Sequence, residues 1–171
     1  MTRIIITYGL ISGLVVILGS IGAIVLHLSS LWLGYLIMLV ALSSILVGVR
    51  QHRDRALGGV ISFWAALAMG LAIAVTASLV YVAVWEVYLA ATHYDFMDKY
   101  AASVLAAKRA AGVTGAAYAR AQAEMATMKA QYANPLYRLP MTFLEIFPVG
   151  LLIALVSAGL LRNPRFLPAG R

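Results

Sequence analysis

Four long runs of apolar residues dominate the chain, and they occupy residues 4–26, 31–49, 56–85 and 139–161. A helix needs about 20 mostly apolar residues to cross the hydrocarbon core of a bilayer, which is about 30 Å thick. All four runs meet this requirement, and the first two contain no charged residue. The pattern therefore predicts an all-α fold built on a bundle of four transmembrane helices.

Between the third and fourth runs, over residues 94–133, the sequence becomes polar and rich in alanine. Two stripes of apolar residues there recur at alternating spacings of three and four, which places each stripe on one face of a helix. Gly112 and Gly115 separate the stripes and favour a turn. We therefore expect a single membrane domain over residues 1–171, with an extracytoplasmic αα-hairpin inserted at residues 94–133 between helices 3 and 4.

The stripes of this hairpin have two interpretations. They pack on each other, or their Met, Ala and Tyr side chains form an adaptable surface that receives a partner protein or a lipid. The stripes contain too few large apolar residues to form a stable independent domain. We therefore expect the hairpin to pack against the membrane surface, a partner or a second copy. The candidate partner-binding residues are Met97, Tyr100, Tyr118, Met125, Met128 and Tyr132.

The composition excludes several classes of protein. Hydrophobic residues make up 63% of the chain and charged residues 11%, whereas a soluble domain has about 45–50% and about 25%. A soluble enzyme, a disordered chain and a nucleic-acid-binding domain are therefore excluded, despite the net charge of +7. Because the chain has no cysteine, it has neither disulfides nor thiolate ligands.

The basic residues predict the orientation. Most of those that flank short loops fall on one side of a four-helix model, and such residues favour the cytoplasmic side. We therefore predict a multi-pass protein of the bacterial inner membrane with both termini in the cytoplasm. An outer aromatic belt of Trp32, Tyr35, Tyr81, Trp85 and Tyr88 agrees with this orientation. The flanking basic residues are Arg3, Arg50, Arg53, Arg55, Arg162, Arg165 and Arg171.

Three of these arginines, Arg50, Arg53 and Arg55, are candidates for contact with anionic lipid head groups. The alternative is that they only anchor the topology. Small residues on every run, including the G-x-x-x-G of Gly9 and Gly13, predict close helix packing. That packing lies within one bundle or between the copies of a homo-oligomer.

Glu145 and Glu86 are acids within apolar runs, where an ionisable group costs about 2.5 to 3.5 kcal/mol on insertion scales. We expect Glu145 to face the bundle interior or a cavity. Three roles are open for these acids: pairing of Glu145 with Arg138 or a tyrosine hydroxyl, binding of a proton or cation, and binding of a metal. The other candidate residues for such a polar cluster are His93, His27 and Thr142.

Several short motifs resemble the bacterial integral-membrane family known as domain of unknown function 4199. The resemblance covers essentially the whole chain and implies a four-span protein with an extracytoplasmic insertion. It implies no activity, substrate or cofactor. The motifs are Gly34-Tyr35 with Met38, the segment from Val49 to Asp54, the segment from Gly59 to Trp64 with Gly70-Leu71, Asn134-Pro135, and the segment from Thr142 to Leu151.

No hydrolase, P-loop, dinucleotide-binding or zinc-protease motif occurs in the sequence. We therefore expect a protein without enzymatic activity or cofactor, acting as an accessory, assembly or partner-binding subunit through its hairpin. Its expected partners are membrane lipids and either a membrane protein or a second copy. The alternative is a small transporter or a protein that handles lipids or cations through Glu145 and Glu86. A third hypothesis is a metalloenzyme that uses His27, His93 and the two glutamates.

Overall fold

A computed structural model describes residues 1–26, 28 and 30–168, and regular structure in this part of the chain is helical. The all-α class is therefore confirmed. The helices are α1 (Thr2–Val25), α2 (Leu31–Leu42), α3 (Ser44–Ala56), α4 (Phe63–Ala91), α5 (Phe96–Ala110), α6 (Gly115–Ala133) and α7 (Pro135–Leu161).

Within the described residues, four helical segments are long and apolar enough to cross a membrane, as the four apolar runs predicted. They are Thr2–Val25, Trp32–Ala56, Phe63–Ala91 and Pro135–Leu161. The second combines α2 and α3, which are separated at Ser43. The Ser43 hydroxyl donates a hydrogen bond of 2.6 Å to the carbonyl of Val40, one turn earlier. The orientation of these segments in a membrane stays a prediction.

The second helical segment ends later than its apolar run, and the third helical segment begins later than its apolar run. Helix α3 was expected to end at residue 49 but continues to Ala56. The polar residues after residue 49 are too hydrophilic to count as part of an apolar run, but they can still adopt helical geometry. The N–H groups of Leu57 and Gly59 then both donate to the Arg53 carbonyl. Gly58 and Gly59 take φ values of +64° and +90°, which suit glycine. This turn closes α3 and delays the start of α4 to Phe63.

The fourth segment begins at Pro135, four residues before the apolar run. Proline suits the first turn of a helix because it lacks the N–H that would have no partner there. The side-chain oxygen of Asn134 accepts a hydrogen bond of 3.0 Å from the N–H of Leu136. Asn134 thus caps α7, and Arg138 lies on the helix rather than in a loop.

The chain divides into two compact units, of which the first comprises Met1–Val84 and Phe143–Arg171. Small residues allow the helices of this unit to approach each other closely. A Cβ atom added to Gly13 of α1 would lie 2.6 Å from the carbonyl oxygen of Ala77 in α4. One added to Gly150 of α7 would lie 2.9 Å from the Cβ of Ala74. The close approaches expected from the small residues therefore occur between helices of a single chain.

The second unit comprises Trp85–Thr142 and contains the helix pair α5 and α6. The two helices pack on each other and are joined at Gly112 and Gly115, whose φ values are +78° and +59°. Ala121 of α6 and Met97 of α5 are the residues of these two helices that are buried. The side of the membrane on which this pair lies stays a prediction.

Candidate functional sites

Arg138 forms a buried ion pair with Glu86 in the second unit. Its side chain is almost completely buried, although it carries a permanent positive charge. Its Nε and Nη2 atoms donate hydrogen bonds of 2.6 and 2.7 Å to the two carboxylate oxygens of Glu86. Its Nη1 atom donates a third, of 3.0 Å, to the carbonyl oxygen of Tyr132. The fork geometry of the guanidinium thus neutralises Glu86 with two parallel bonds.

Aromatic rings surround this ion pair. The rings of Tyr94 and Tyr132 lie 5.2 and 5.7 Å from the guanidinium carbon of Arg138, within the range of cation–π attraction. The indole N–H of Trp85 donates a hydrogen bond of 2.7 Å to the Tyr132 hydroxyl. We call these four residues, together with Glu86, the Arg138 cluster. It ties the last turns of α4 and α6 to the first turn of α7.

The other polar candidates of this unit do not join the cluster through their side chains. The Thr142 hydroxyl donates to the carbonyl of Arg138, one turn earlier in α7, at 2.9 Å. His93 is exposed and takes a left-handed φ of +52°. His27 lies outside the described residues. Among the residues that are described, no three His, Asp or Glu side chains gather in a group that could hold a metal ion.

Glu145 belongs to the first unit, and its exposure differs from expectation. It is exposed on α7 rather than turned into the bundle interior. Its carboxylate accepts a hydrogen bond from the hydroxyl of Tyr81, a buried residue of α4. Of the two pairings considered from the sequence, the tyrosine pairing occurs, whereas Arg138 pairs with Glu86 instead. No ion pair within the described part of the chain includes Glu145.

The basic run at the end of α3 is only partly accessible. Arg53 is fully buried, and its Nε atom donates a hydrogen bond of 2.7 Å to Asp54. Its terminal nitrogens donate to the backbone carbonyls of Phe166, at 2.9 Å, and Leu167. Arg53 therefore holds the segment that follows α7. Sequence reasoning missed this contact because a backbone acceptor leaves no side-chain pattern.

The neighbouring arginines remain available to lipid. Arg50 pairs with Asp54 at 3.3 Å, yet its side chain is still 40% exposed, and Arg55 is exposed as well. The burial of Arg53 removes it from the candidate lipid-binding set, because its donors are already used inside the protein. The expected aromatic belt is also incomplete, since Tyr81 and Trp85 are buried whereas Trp32 and Tyr35 are exposed.

The six candidate partner-binding residues of α5 and α6 differ in exposure. Met97 is buried and is therefore a packing residue, whereas Tyr100 is 43% exposed. The ring of Tyr118 lies 4.7 Å from the guanidinium carbon of Arg109. The half-buried members of the set are Tyr118, Met125, Met128 and Tyr132. The stripes thus pack partly on each other and partly remain accessible.

An open depression lies on one face of α6, and we call it the α6 depression. Its apolar contributions come from Met128 and Ala123, and polar side chains form the rest of its lining. The spacing of the lining residues repeats at three and four positions, so all of them lie along one helix face. They are Arg120, Ala123, Glu124, Thr127, Met128 and Gln131.

Over the described residues, the fold defines a class: an all-helical protein with four helices long and apolar enough to cross a membrane. Over residues 7–163 the chain matches the family described as protein of unknown function (DUF4199), and it belongs to that family. The family resemblance seen in the sequence motifs is therefore confirmed. No curated protein and no solved structure matches the chain.

Proposed function

We propose that this chain is a non-enzymatic subunit of the bacterial inner membrane that binds a partner protein through the α6 depression. The observation that carries the proposal is the make-up of that depression, where Met128 lies among polar side chains of a single helix face. Protein interfaces combine an apolar centre with a polar rim, and methionine adapts its shape to a partner.

The Arg138 cluster supports this function by fixing the base of the helix pair. Within the second unit, the bond from Trp85 to Tyr132 holds α6 against the end of α4, and the bonds from Arg138 to Glu86 and to the Tyr132 carbonyl tie both to the start of α7. A surface that is already ordered loses less conformational entropy when a partner binds. The depression is therefore presented on a rigid support rather than on a mobile loop.

The proposed orientation has both termini in the cytoplasm and α5 and α6 outside it. Its support is the distribution of basic residues in the first unit. The bonds from Arg53 to Phe166 and Leu167 bring the basic end of α3 next to the segment containing Arg162 and Arg165. Basic residues concentrated at one end favour the cytoplasmic face, where Arg50 and Arg55 would meet anionic lipid head groups.

Site-specific photo-crosslinking in native membranes tests the partner. A photoreactive residue in place of Ala123, in the depression, should give one crosslinked product of defined mass. The matched control replaces Ala106, an exposed alanine of α5, and should give none. Met128→Lys should remove the product without changing the amount of protein in the membrane. Identical products from both positions, or no product from Ala123, would overturn the proposal.

A further inference from the structure

The carboxylate of Glu145 is deep within a long apolar helix. It lies ten residues after Pro135 and sixteen before Leu161, the two ends of α7. At 1.5 Å per residue these intervals are about 15 and about 24 Å. Because α7 has 27 residues and is about 40 Å long, about 10 Å more than the hydrocarbon core, Glu145 lies within its apolar part and in the half nearer Pro135. How its charge is neutralised therefore decides what the site does.

The ion pairs of the described residues single out Glu145. Four of the six acids have a basic partner, and these are Asp54, Glu86, Asp95 and Asp98. Glu124 is without an ion pair but is exposed on the polar helix α6, where water solvates it. Glu145 is thus the acid on a membrane-length helix that has no cation among the described residues.

The surface around Glu145 is apolar. Leu144, Leu152 and Val156 are exposed on the same helix. From the other helices of the first unit, α4 contributes the Tyr81 hydroxyl. Tyr81 is the titratable group that meets Glu145 from α4. The carboxylate consequently opens towards lipid, with one neutral hydroxyl as its polar contact.

We propose that Glu145 and Tyr81 form a proton-binding site that opens to the lipid-facing surface of the bundle. A carboxylate without a cation is costly in hydrocarbon, and uptake of a proton removes its charge. The tyrosine hydroxyl serves both states, because it donates to the ionised carboxylate and accepts a hydrogen bond from the protonated acid. The proton is the ligand and Glu145 is its binding group.

This site is independent of the α6 depression. It lies in the first unit, uses residues of α4 and α7, and holds whether or not α6 binds a partner. Glu86 supplies the natural contrast, because both of its carboxylate oxygens accept hydrogen bonds from the cation Arg138.

Labelling with dicyclohexylcarbodiimide tests the site on the full chain in membrane vesicles. This apolar reagent dissolves in lipid and adds as a whole molecule to a protonated carboxyl group, so mass spectrometry locates the adduct. We expect an adduct on Glu145 and none on Glu86. Labelling of Glu145 should decrease as the pH is raised, because the ionised carboxylate does not accept the reagent. Glu145→Asp should keep the adduct and Glu145→Gln should lose it.

A charged, water-soluble carbodiimide provides the second arm. It should modify Glu124 and leave Glu145 unmodified. Absence of the apolar adduct from Glu145, or a yield that does not change with pH, would overturn the proton site. Equal modification of Glu145 by both reagents would overturn its opening to lipid. Size-exclusion chromatography of each variant shows whether the fold is retained, and Glu124 serves as the internal measure of reagent activity.

Discussion

Glu86 and Glu145 both lie within long apolar helices, yet the partners of their carboxylates differ in charge. Glu86 meets a buried guanidinium through two hydrogen bonds of 2.6 and 2.7 Å. Glu145 meets one tyrosine hydroxyl and is exposed on the outside of its helix. One carboxylate is paired with a cation of the protein, whereas the other has a neutral partner.

The contrast separates a structural role from a chemical one. A buried ion pair fixes the position of the helices that carry it, because breaking it leaves a charge in an apolar environment. A carboxylate with a neutral hydrogen-bond partner contributes less to the position of its helix, but it remains able to exchange a proton. The difference predicts that variants of the Arg138 cluster mainly affect stability and that variants of Glu145 mainly affect chemistry.

Arg138→Met should have the largest effect on stability. It removes both bonds to Glu86 and leaves that carboxylate without its cation, so we expect a loss of about 3 kcal/mol in the free energy of unfolding. Glu86 is 25% exposed, which argues for the lower end of the usual range for such a change. Denaturation in mixed micelles measures the loss. Arg120→Met, on the exposed face of α6, is the matched control and should change stability by less than about 0.5 kcal/mol.

Glu86→Gln should come next, with a loss of about 2 kcal/mol. It leaves Arg138 buried and charged, but the carbonyl of Tyr132 and the ring of Tyr94 still stabilise the cation. A double-mutant cycle with Arg138→Met isolates the pair, since the double variant should lose clearly less than the sum of both single variants. Simple additivity of the two losses would mean that the pair does not act as a unit.

Hydropathy predicted the four long helices because each carries enough apolar residues to cross a bilayer. It could not predict their ends, which depend on local backbone geometry. The left-handed glycines at 58 and 59 end α3, and Asn134 caps α7. Spacing also predicted the two helices α5 and α6, because their apolar residues repeat at helical intervals.

The partners of the polar groups were harder to predict. Arg138 and Glu86 are 52 residues apart in the sequence, and no spacing rule connects residues on different helices at that distance. Arg138 was a candidate partner of Glu145 because it was expected in a nearby loop, whereas it lies on α7 and faces Glu86. The tail carbonyls bound by Arg53 carry no side-chain signal at all. Composition thus predicts which groups need a partner, and only the fold decides which partner each one finds.

Tyr81→Phe should have a smaller effect than either change in the Arg138 cluster. It removes one hydroxyl and its hydrogen bond to Glu145, which is worth about 1 kcal/mol. Tyr100→Phe is the control, because Tyr100 is an exposed tyrosine of α5. A loss above about 3 kcal/mol for Tyr81→Phe, measured in the same denaturation, would show that Glu145 is held as firmly as Glu86.

Glu145→Gln should have the smallest effect on stability, within about 0.5 kcal/mol in either direction. The side-chain amide has nearly the same shape and still accepts a hydrogen bond from Tyr81. No ion pair of the described residues is lost, and the cost of a charge facing lipid disappears. The same substitution at Glu86 breaks an ion pair, so the two variants differ only in what surrounds an identical chemical change. Equal losses for both would mean that Glu145 has a cationic partner of its own, and its role would then be structural.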